Sequence, residues 1–365
     1  MQNHANITTQ PQPSFFKRLR QKILHAFRLT DQPVVKVYHG FGNDQQVTVF
    51  GHVFHFSPVP RKHYSKNFLT NTFALLRLFM VKPYKKAYLK MQWNDQWIYT
   101  QSEKDGFFRF EWNIDAPLQS GWHEVNVLLL GRSKEHTSIA SGIGSIYVPY
   151  SNQYAFISDI DDTFLISHSS NFRKRLFVLL TENAHSRQPF EDVVRHYQLL
   201  SRAGVKHAES NPFFFVSSSE WNLYDYIREF AINQNLPQGV YLLNQVKQFS
   251  QLWKTGQNNH STKFMRIVRV LEAFPKQKFI LLGDDTQEDP TIYASIISHF
   301  PHKILAVYLR KVRKKTKPTV LPAIEEMKAA GVMCCYFSHS SEAISHSISI
   351  GLIKNPDDTT QMKTS

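Results

Sequence analysis

The sequence predicts an α/β fold in two parts: a mostly parallel sheet with helices on both faces, preceded by a smaller, β-sandwich-like domain. Two observations predict it. After Tyr150, short apolar runs alternate with stretches of helical period, a pattern that builds parallel strands joined by helical crossovers. Before Tyr150, short alternating segments are parted by turn signals, as in antiparallel strands. A third observation locates the chemistry. The apolar runs of the second part stop at acidic or hydroxyl residues, and open parallel sheets bind ligands at those strand ends.

The chain has 365 residues, of which 42% are apolar and 13% aromatic, enough for two domains and a sizeable core. Lys and Arg number 43 against 29 Asp and Glu, a net charge of +14. Such an excess serves solubility or favours an anionic partner, whether phosphate, nucleic acid or an anionic bilayer. Cys334 and Cys335 are adjacent, and a bridge between neighbours is strained, so they read as core residues of a reducing compartment. No apolar run reaches the roughly 18 residues of a membrane span, and the first residues lack the apolar core of a signal peptide. A cytoplasmic location is expected, with peripheral membrane attachment as its extension.

Residues 1–32 divide into a polar lead-in and a basic amphipathic helix. Phe16, Leu19, Ile23 and Phe27 recur at helical spacing from the N-cap Ser14, with Lys17, Arg18, Arg20, Lys22 and Arg28 on the other faces. Such a helix lies in a membrane interface or docks on its own protein body. Residues 33–150 form the β-rich domain, with strands expected at 47–56, 87–93, 97–100, 107–112 and 122–130. Gly40-Phe41-Gly42, Lys104-Asp105-Gly106 and Gln119-Ser120-Gly121 mark turns, and 67–81 reads as a helix closed by Pro83. Residues 151–352 form the parallel domain, with strands expected at 154–158, 213–217, 278–282, 304–309 and 332–337, and 353–365 form a disordered tail.

The stretch Tyr154-Ala155-Phe156-Ile157-Ser158-Asp159-Ile160-Asp161-Asp162-Thr163 is a buried strand that opens into three carboxylates within four positions. Crowded carboxylates repel one another, so a divalent cation or proton chemistry explains them better than an acidic helix cap. Three further stations follow. The run 213–216 ends in Ser217-Ser218-Ser219, whose hydroxyls and amides suit phosphoryl oxygens. Lys263 opens a helical segment at 264–274, where a cation opposes the helix dipole unless an anion lies before it. The run 279–282 ends in Gly283-Asp284-Asp285-Thr286-Gln287-Glu288-Asp289-Pro290, a second acidic strand end.

In this order the stations resemble those of the haloacid-dehalogenase superfamily, whose first motif, Asp-x-Asp-x-Thr, stands here as Asp159-Ile160-Asp161-Asp162-Thr163. The phrases Val216-Ser217-Ser218-Ser219-Glu220-Trp221-Asn222-Leu223-Tyr224, Leu282-Gly283-Asp284-Asp285, Asp289-Pro290-Thr291-Ile292-Tyr293 and Val307-Tyr308-Leu309-Arg310 are similar to the catalytic domain of the actin-patch-associated phosphatidate phosphatases and their bacterial relatives. The resemblance covers about residues 150–352 and implies a Rossmann-like (HAD-like) fold. It implies that Asp159 is the nucleophile and forms an aspartyl-phosphate. Asp161 is the implied acid and base, and Ser217 with Lys263 the implied phosphoryl ligands. The implied Mg²⁺ is held by Asp159, the backbone carbonyl of Asp161 and Asp284, with Asp289 in support, hard oxygens of the kind that ion takes. Two positions depart from the pattern: Asp285-Thr286 stand for Ser-Gly, and Glu220 for Pro. Asp285 is thereby expected to add charge near the cation.

About 50 residues separate Thr163 from Ser217, too few for an added cap domain of typical size. An uncapped site suits a phosphate presented on something large. The expected activity is Mg²⁺-dependent hydrolysis of phosphatidate or a similar lipid phosphomonoester, with an anionic membrane surface as partner and no specific nucleic acid. The alternatives are the same chemistry on a nucleic-acid end or phosphoprotein, or a non-catalytic membrane-associated module.

Overall fold

A computed structural model describes residues 21–22, 24–58, 77–116, 118–134, 137–150, 154–160, 193–205, 210–246, 259–313 and 315–354. The expected helices at 14–28 and 67–81 fall mostly outside these residues, as do Asp161, Asp162, Thr163 and the tail from 355.

Among the described residues the first half contributes nine strands: β1 (Val34–Val37), β2 (Gly40–Gly42), β3 (Gln46–Phe56), β4 (Lys82–Pro83), β5 (Tyr88–Trp93), β6 (Gln96–Gln101), β7 (Phe107–Asn113), β8 (Gly121–Gly131) and β9 (Ala140–Val148). Hydrogen bonds join them into one sheet ordered β1-β3-β2-β9-β8-β5-β6, with β4 and β7 also paired to β3. The two halves of this sheet meet through the parallel pairs Gly40↔Ile146 and Phe41↔Tyr147. Alternation along β3, β5 and β8 sends Val47, Val49, Val53, Leu89, Met91 and Val127 into one buried cluster. The sequence pattern missed β1, β2, β4 and β9, because the first three are too short to show alternation and β9 carries Gly142 and Gly144.

Among the described residues the second half forms a six-stranded sheet in which every neighbouring pair is parallel. Its strands are β10 (Tyr154–Asp159), β11 (Phe213–Glu220), β12 (Gly239–Asn244), β13 (Lys278–Asp284), β14 (Ile304–Arg310) and β15 (Met333–Phe337), in the order β12-β11-β10-β13-β14-β15. Between them run α1 (Val193–Ser201), α2 (Tyr224–Asn233), α3 (Asn259–Ala273), α4 (Asp289–His299) and α5 (Val320–Ala329), and α6 (Ser340–Ser349) follows β15. β12 is an addition to the five strands expected. Its apolar run of four residues does not distinguish strand from helix by period.

The pleat of β10 divides its side chains between two faces. Phe156 stacks on Phe213, which stacks in turn on Tyr197 of α1, and the Ser158 hydroxyl bonds Tyr197 Oη at 2.7 Å. Asp159 turns to the other face, where Lys263 of α3 meets it. Chain order places a reversal here: β10, β11 and β12 step one way across the sheet, and β13 returns to the opposite side of β10. The crevice beyond the carboxyl ends of β10 and β13 is therefore the switch point at which such sheets take ligands.

The two sheets share one core. Tyr38, Phe41, Phe50 and Phe54 belong to the same buried cluster as Phe214, Trp221 and Phe274. Tyr38 stacks on Trp221 with ring centroids 4.1 Å apart and planes 9° from parallel. Polar contacts edge the seam: Lys36 pairs with Asp225 at 2.6 Å, Asn43 donates to the Ala273 carbonyl at 2.7 Å, and the His39 amide donates to Tyr224 Oη at 3.1 Å.

Candidate active site

Parallel register brings the strand-end residues together. Asp159 pairs with Val216, so Ser217 stands one step beyond the level of Asp159 on β11. Ser158 pairs with Leu282, which sets Asp284 one step beyond Asp159 on the other flank. Asp289 opens α4, and Lys263 is the fifth residue of α3 rather than a residue before it. The helix starts earlier than expected because Asn259-His260-Ser261-Thr262 supply a polar first turn without an apolar period to mark it.

Asp159, Asp284 and Asp289 are fully buried, and Lys263 is nearly so. The Lys263 ammonium lies 3.1 Å from Asp159 Oδ1 and donates to Asp289 Oδ1 as well, so one cation joins the two acidic strand ends. Asp284 Oδ1 accepts from the Thr286 amide at 2.6 Å and its hydroxyl at 2.7 Å. Those two bonds set the carboxylate's orientation. The second oxygen of Asp289 accepts the Asp284 amide at 3.4 Å, and Tyr293 Oη donates to the Leu282 carbonyl at 2.8 Å. Burial raises the Tyr293 phenol well above its usual value, and the charges of Asp289 and Asp159 push the same way.

Ser217 is buried, its hydroxyl accepting the Ser219 amide at 2.9 Å while its carbonyl accepts from Arg266 at 2.9 Å. Arg266, Thr286 and Tyr293 are site-supporting residues that the sequence reading missed. Arg266 had a signal, since it follows Lys263 by three positions and so shares its helix face. Arg310, at the end of β14, donates to the Ser338 carbonyl at 3.2 Å and to the Ser340 hydroxyl. Burial lowers its guanidinium to about 10, against the opposing pull of Tyr197 and Asp284.

Asp285 corrects an expectation. Its carboxylate is buried and turned along the sheet, accepting the amides of Val312 at 2.9 Å and Arg313 at 3.2 Å and the Tyr336 hydroxyl at 2.8 Å. Its charge is spent on the chain beyond β14, and Asp284 alone of the adjacent pair faces Thr286.

The donor set suits a hard divalent cation. Two buried carboxylates, Asp159 and Asp289, flank one ammonium, the third, Asp284, is buried at the end of the neighbouring strand, and their oxygens are of the kind Mg²⁺ takes. Among the described residues no three acidic, His or Cys side chains converge as ligands, and the Lys263 ammonium lies between Asp159 and Asp289. Asp161 lies outside the described residues.

The parallel α/β sheet thus gathers buried acids, a lysine and a serine at its switch point. Residues 154–311 match the family model of the catalytic domain of phosphatidate phosphatase APP1. The chain is 30% identical over 156 residues to phosphatidate phosphatase APP1 of Saccharomyces cerevisiae, covering 42% of this chain and 25% of that protein. It is 23% identical over 215 residues to an uncharacterised protein of Schizosaccharomyces pombe, covering 56% of this chain and 34% of that one. The matched part thus spans a quarter to a third of the length of these relatives. A solved carbohydrate acetylesterase of Xanthomonas citri aligns with 85% of this chain and 71% of its own at 8% identity, with a TM-score of 0.34.

Proposed function

We propose that residues 151–352 are a HAD-like catalytic domain that hydrolyses phosphatidate, or a similar lipid phosphomonoester, to diacylglycerol and phosphate. The observation that carries this reading is the Lys263 ammonium joining Asp159 to Asp289 beside Asp284, at the switch point of a parallel sheet. Phosphoryl transfer needs a positioned nucleophile, cationic donors for the equatorial oxygens and a proton source for the leaving oxygen, and these residues divide those tasks.

Asp159 attacks phosphorus as the bond to the glycerol oxygen breaks, and Asp161 gives that oxygen its proton. Asp161 then takes a proton from water, whose oxygen attacks phosphorus as the bond to Asp159 breaks, releasing phosphate and restoring the Asp159 carboxylate. Lys263 and Ser217 hold the phosphoryl oxygens, Lys263 as a point charge and Ser217 as a donor braced from behind by Arg266. The phosphoryl group is the anion that a lysine in the first turns of α3 calls for. When bound, Mg²⁺ offsets the charge on these oxygens, and Asp159, the Asp161 carbonyl and Asp284, with Asp289 in support, are the residues that would hold it. Among the described residues no helix is long and apolar enough to cross a membrane. We place the protein in the cytoplasm, peripheral to an anionic membrane.

A phosphate-release panel of phosphatidate and soluble phosphomonoesters, with and without Mg²⁺, tests the reading. Phosphatidate is expected to be cleaved only with Mg²⁺, and Asp159→Asn to lose that activity while keeping its unfolding midpoint. Release that survives Asp159→Asn would remove the aspartyl-phosphate route, and equal turnover of soluble esters would remove the lipid preference.

A further inference from the structure

Beyond β14 the chain reads Lys311-Val312-Arg313 and then Lys315-Thr316-Lys317, and it leaves the sheet at the same edge as the acidic loop after β13, because Asp284 and Arg310 are paired in parallel register. Lys311, Arg313 and Lys315 are exposed. Among the described residues neither Lys311 nor Lys315 has an ion-pair partner. The segment is nevertheless held firmly. Its backbone is tied to Asp285 by the Val312 and Arg313 amides, to β15 by the Lys311 amide on the Phe337 carbonyl at 2.7 Å, and Asp285 is itself fixed by Tyr336. Arg313 reaches the Thr286 carbonyl at 3.0 Å, and Lys317 reaches the Gln287 carbonyl at 3.1 Å and the Glu288 carboxylate at 3.2 Å. These ties run to the loop between Asp284 and Asp289 or to β15.

An exposed cationic run on a flexible tail is ordinary. Here a buried carboxylate is spent on bonding two backbone amides so that the run keeps a set position beside the catalytic strand ends. We propose that this segment is the surface on which an anionic lipid bilayer seats, with Lys311 and Lys315 as the charges that meet it and Asp285 as the residue that positions them. The inference rests on the proposed lipid substrate for its choice of occupant. Charge complementarity favours a bilayer carrying net negative charge, and the shared edge presents the switch-point crevice to the same surface.

The test uses the full chain and vesicles of phosphatidylcholine with or without phosphatidylglycerol, an anionic lipid that is no phosphomonoester, so binding is read apart from turnover. Sedimentation with the anionic vesicles is expected, and high salt is expected to reverse it. The pair Lys311→Ala with Lys315→Ala is expected to weaken binding about thirtyfold, while Lys311→Arg with Lys315→Arg retains it. Asp285→Asn is expected to weaken binding although it removes no cation. Release of phosphate from a soluble aryl phosphate is expected to be unchanged in the alanine pair. Binding of the alanine pair equal to the parent, or loss of aryl-phosphate turnover in that pair, would overturn the proposal. Full binding by Asp285→Asn would overturn the positioning role. Lysine-dependent binding by a protein that leaves phosphatidate intact would sink the proposed substrate and leave the docking surface standing.

Discussion

A methyl group at Gly283 would stand 2.5 Å from Asp289 Oδ2 and 2.9 Å from Tyr293 Oη. Neither neighbour can give way cheaply, since Asp289 bonds Lys263 and the Tyr293 hydroxyl bonds the Leu282 carbonyl. Gly283→Ala is therefore expected to displace Asp289 and to lower phosphate release roughly a hundredfold, the scale of an ångström misplacement, with the far-ultraviolet spectrum unchanged. At the same scale, burial fixes a pH dependence. His52 and His196 are both lowered to about 3 by desolvation, with Lys36 adding to the effect at the first and Arg310 at the second. Each stays neutral in the folded protein while its unfolded counterpart takes a proton below 6.5, so stability is greatest above 6.5 and falls as pH drops toward 3. The thermal midpoint is expected to be lower at pH 5 than at pH 7.5, and His52→Phe to flatten that slope.

At the scale of the element, α3 converts an apolar stripe into a placed ammonium. Ile267, Val270 and Leu271 are fully buried, and Phe274 just past the helix packs on Phe214 and Phe41. That stripe sets the helix's rotation, and rotation sets where Lys263 and Arg266 point. Ile267→Ala is expected to cost about 2–5 kcal/mol in chemical denaturation, as for a core truncation that leaves a cavity. β11 has the matching task on the opposite flank. It runs on past Ser217 to Glu220, four residues longer than its apolar run, and hands the chain to the short helical turn Trp221–Leu223.

For the whole molecule, the shared core joins the two sheets into one unit. Tyr38 and Phe50 contact Trp221, four residues beyond Ser217, so the first sheet braces the segment that carries Ser217. Apolar continuity of this kind makes separate melting costly, because either sheet alone would expose large aromatic area. Thermal unfolding is expected to be a single transition, with near-ultraviolet signals from the aromatic seam and far-ultraviolet signals from both sheets coincident. Two resolved transitions would show that the seam is not a cooperative core.

The strand ends were legible because burial and charge write themselves into local sequence. An apolar run that stops at Asp159, at Ser217 or at Asp284 can be read without knowing its neighbours, and the parallel α/β class follows from the alternation of such runs with helical stretches. Short or glycine-bearing strands such as β1 and β9 were not legible, since their pairing partners, not their own pattern, make them strands. The strands read as a sandwich-like domain are hydrogen-bonded into one sheet with a buried cluster of its own and a second cluster shared with the parallel sheet, a fact held in contacts between residues far apart in the chain. Asp285 makes the same distinction at one residue. By sequence it is a carboxylate next to Asp284 and so a charge at the site, and only the fold, by bringing Val312, Arg313 and Tyr336 within reach, turns it away. Local sequence carries which residue types end the strands. Which of them face one another was decided by strand order and register, because the pairings β10–β11 and β10–β13 join segments more than 50 residues apart in the chain.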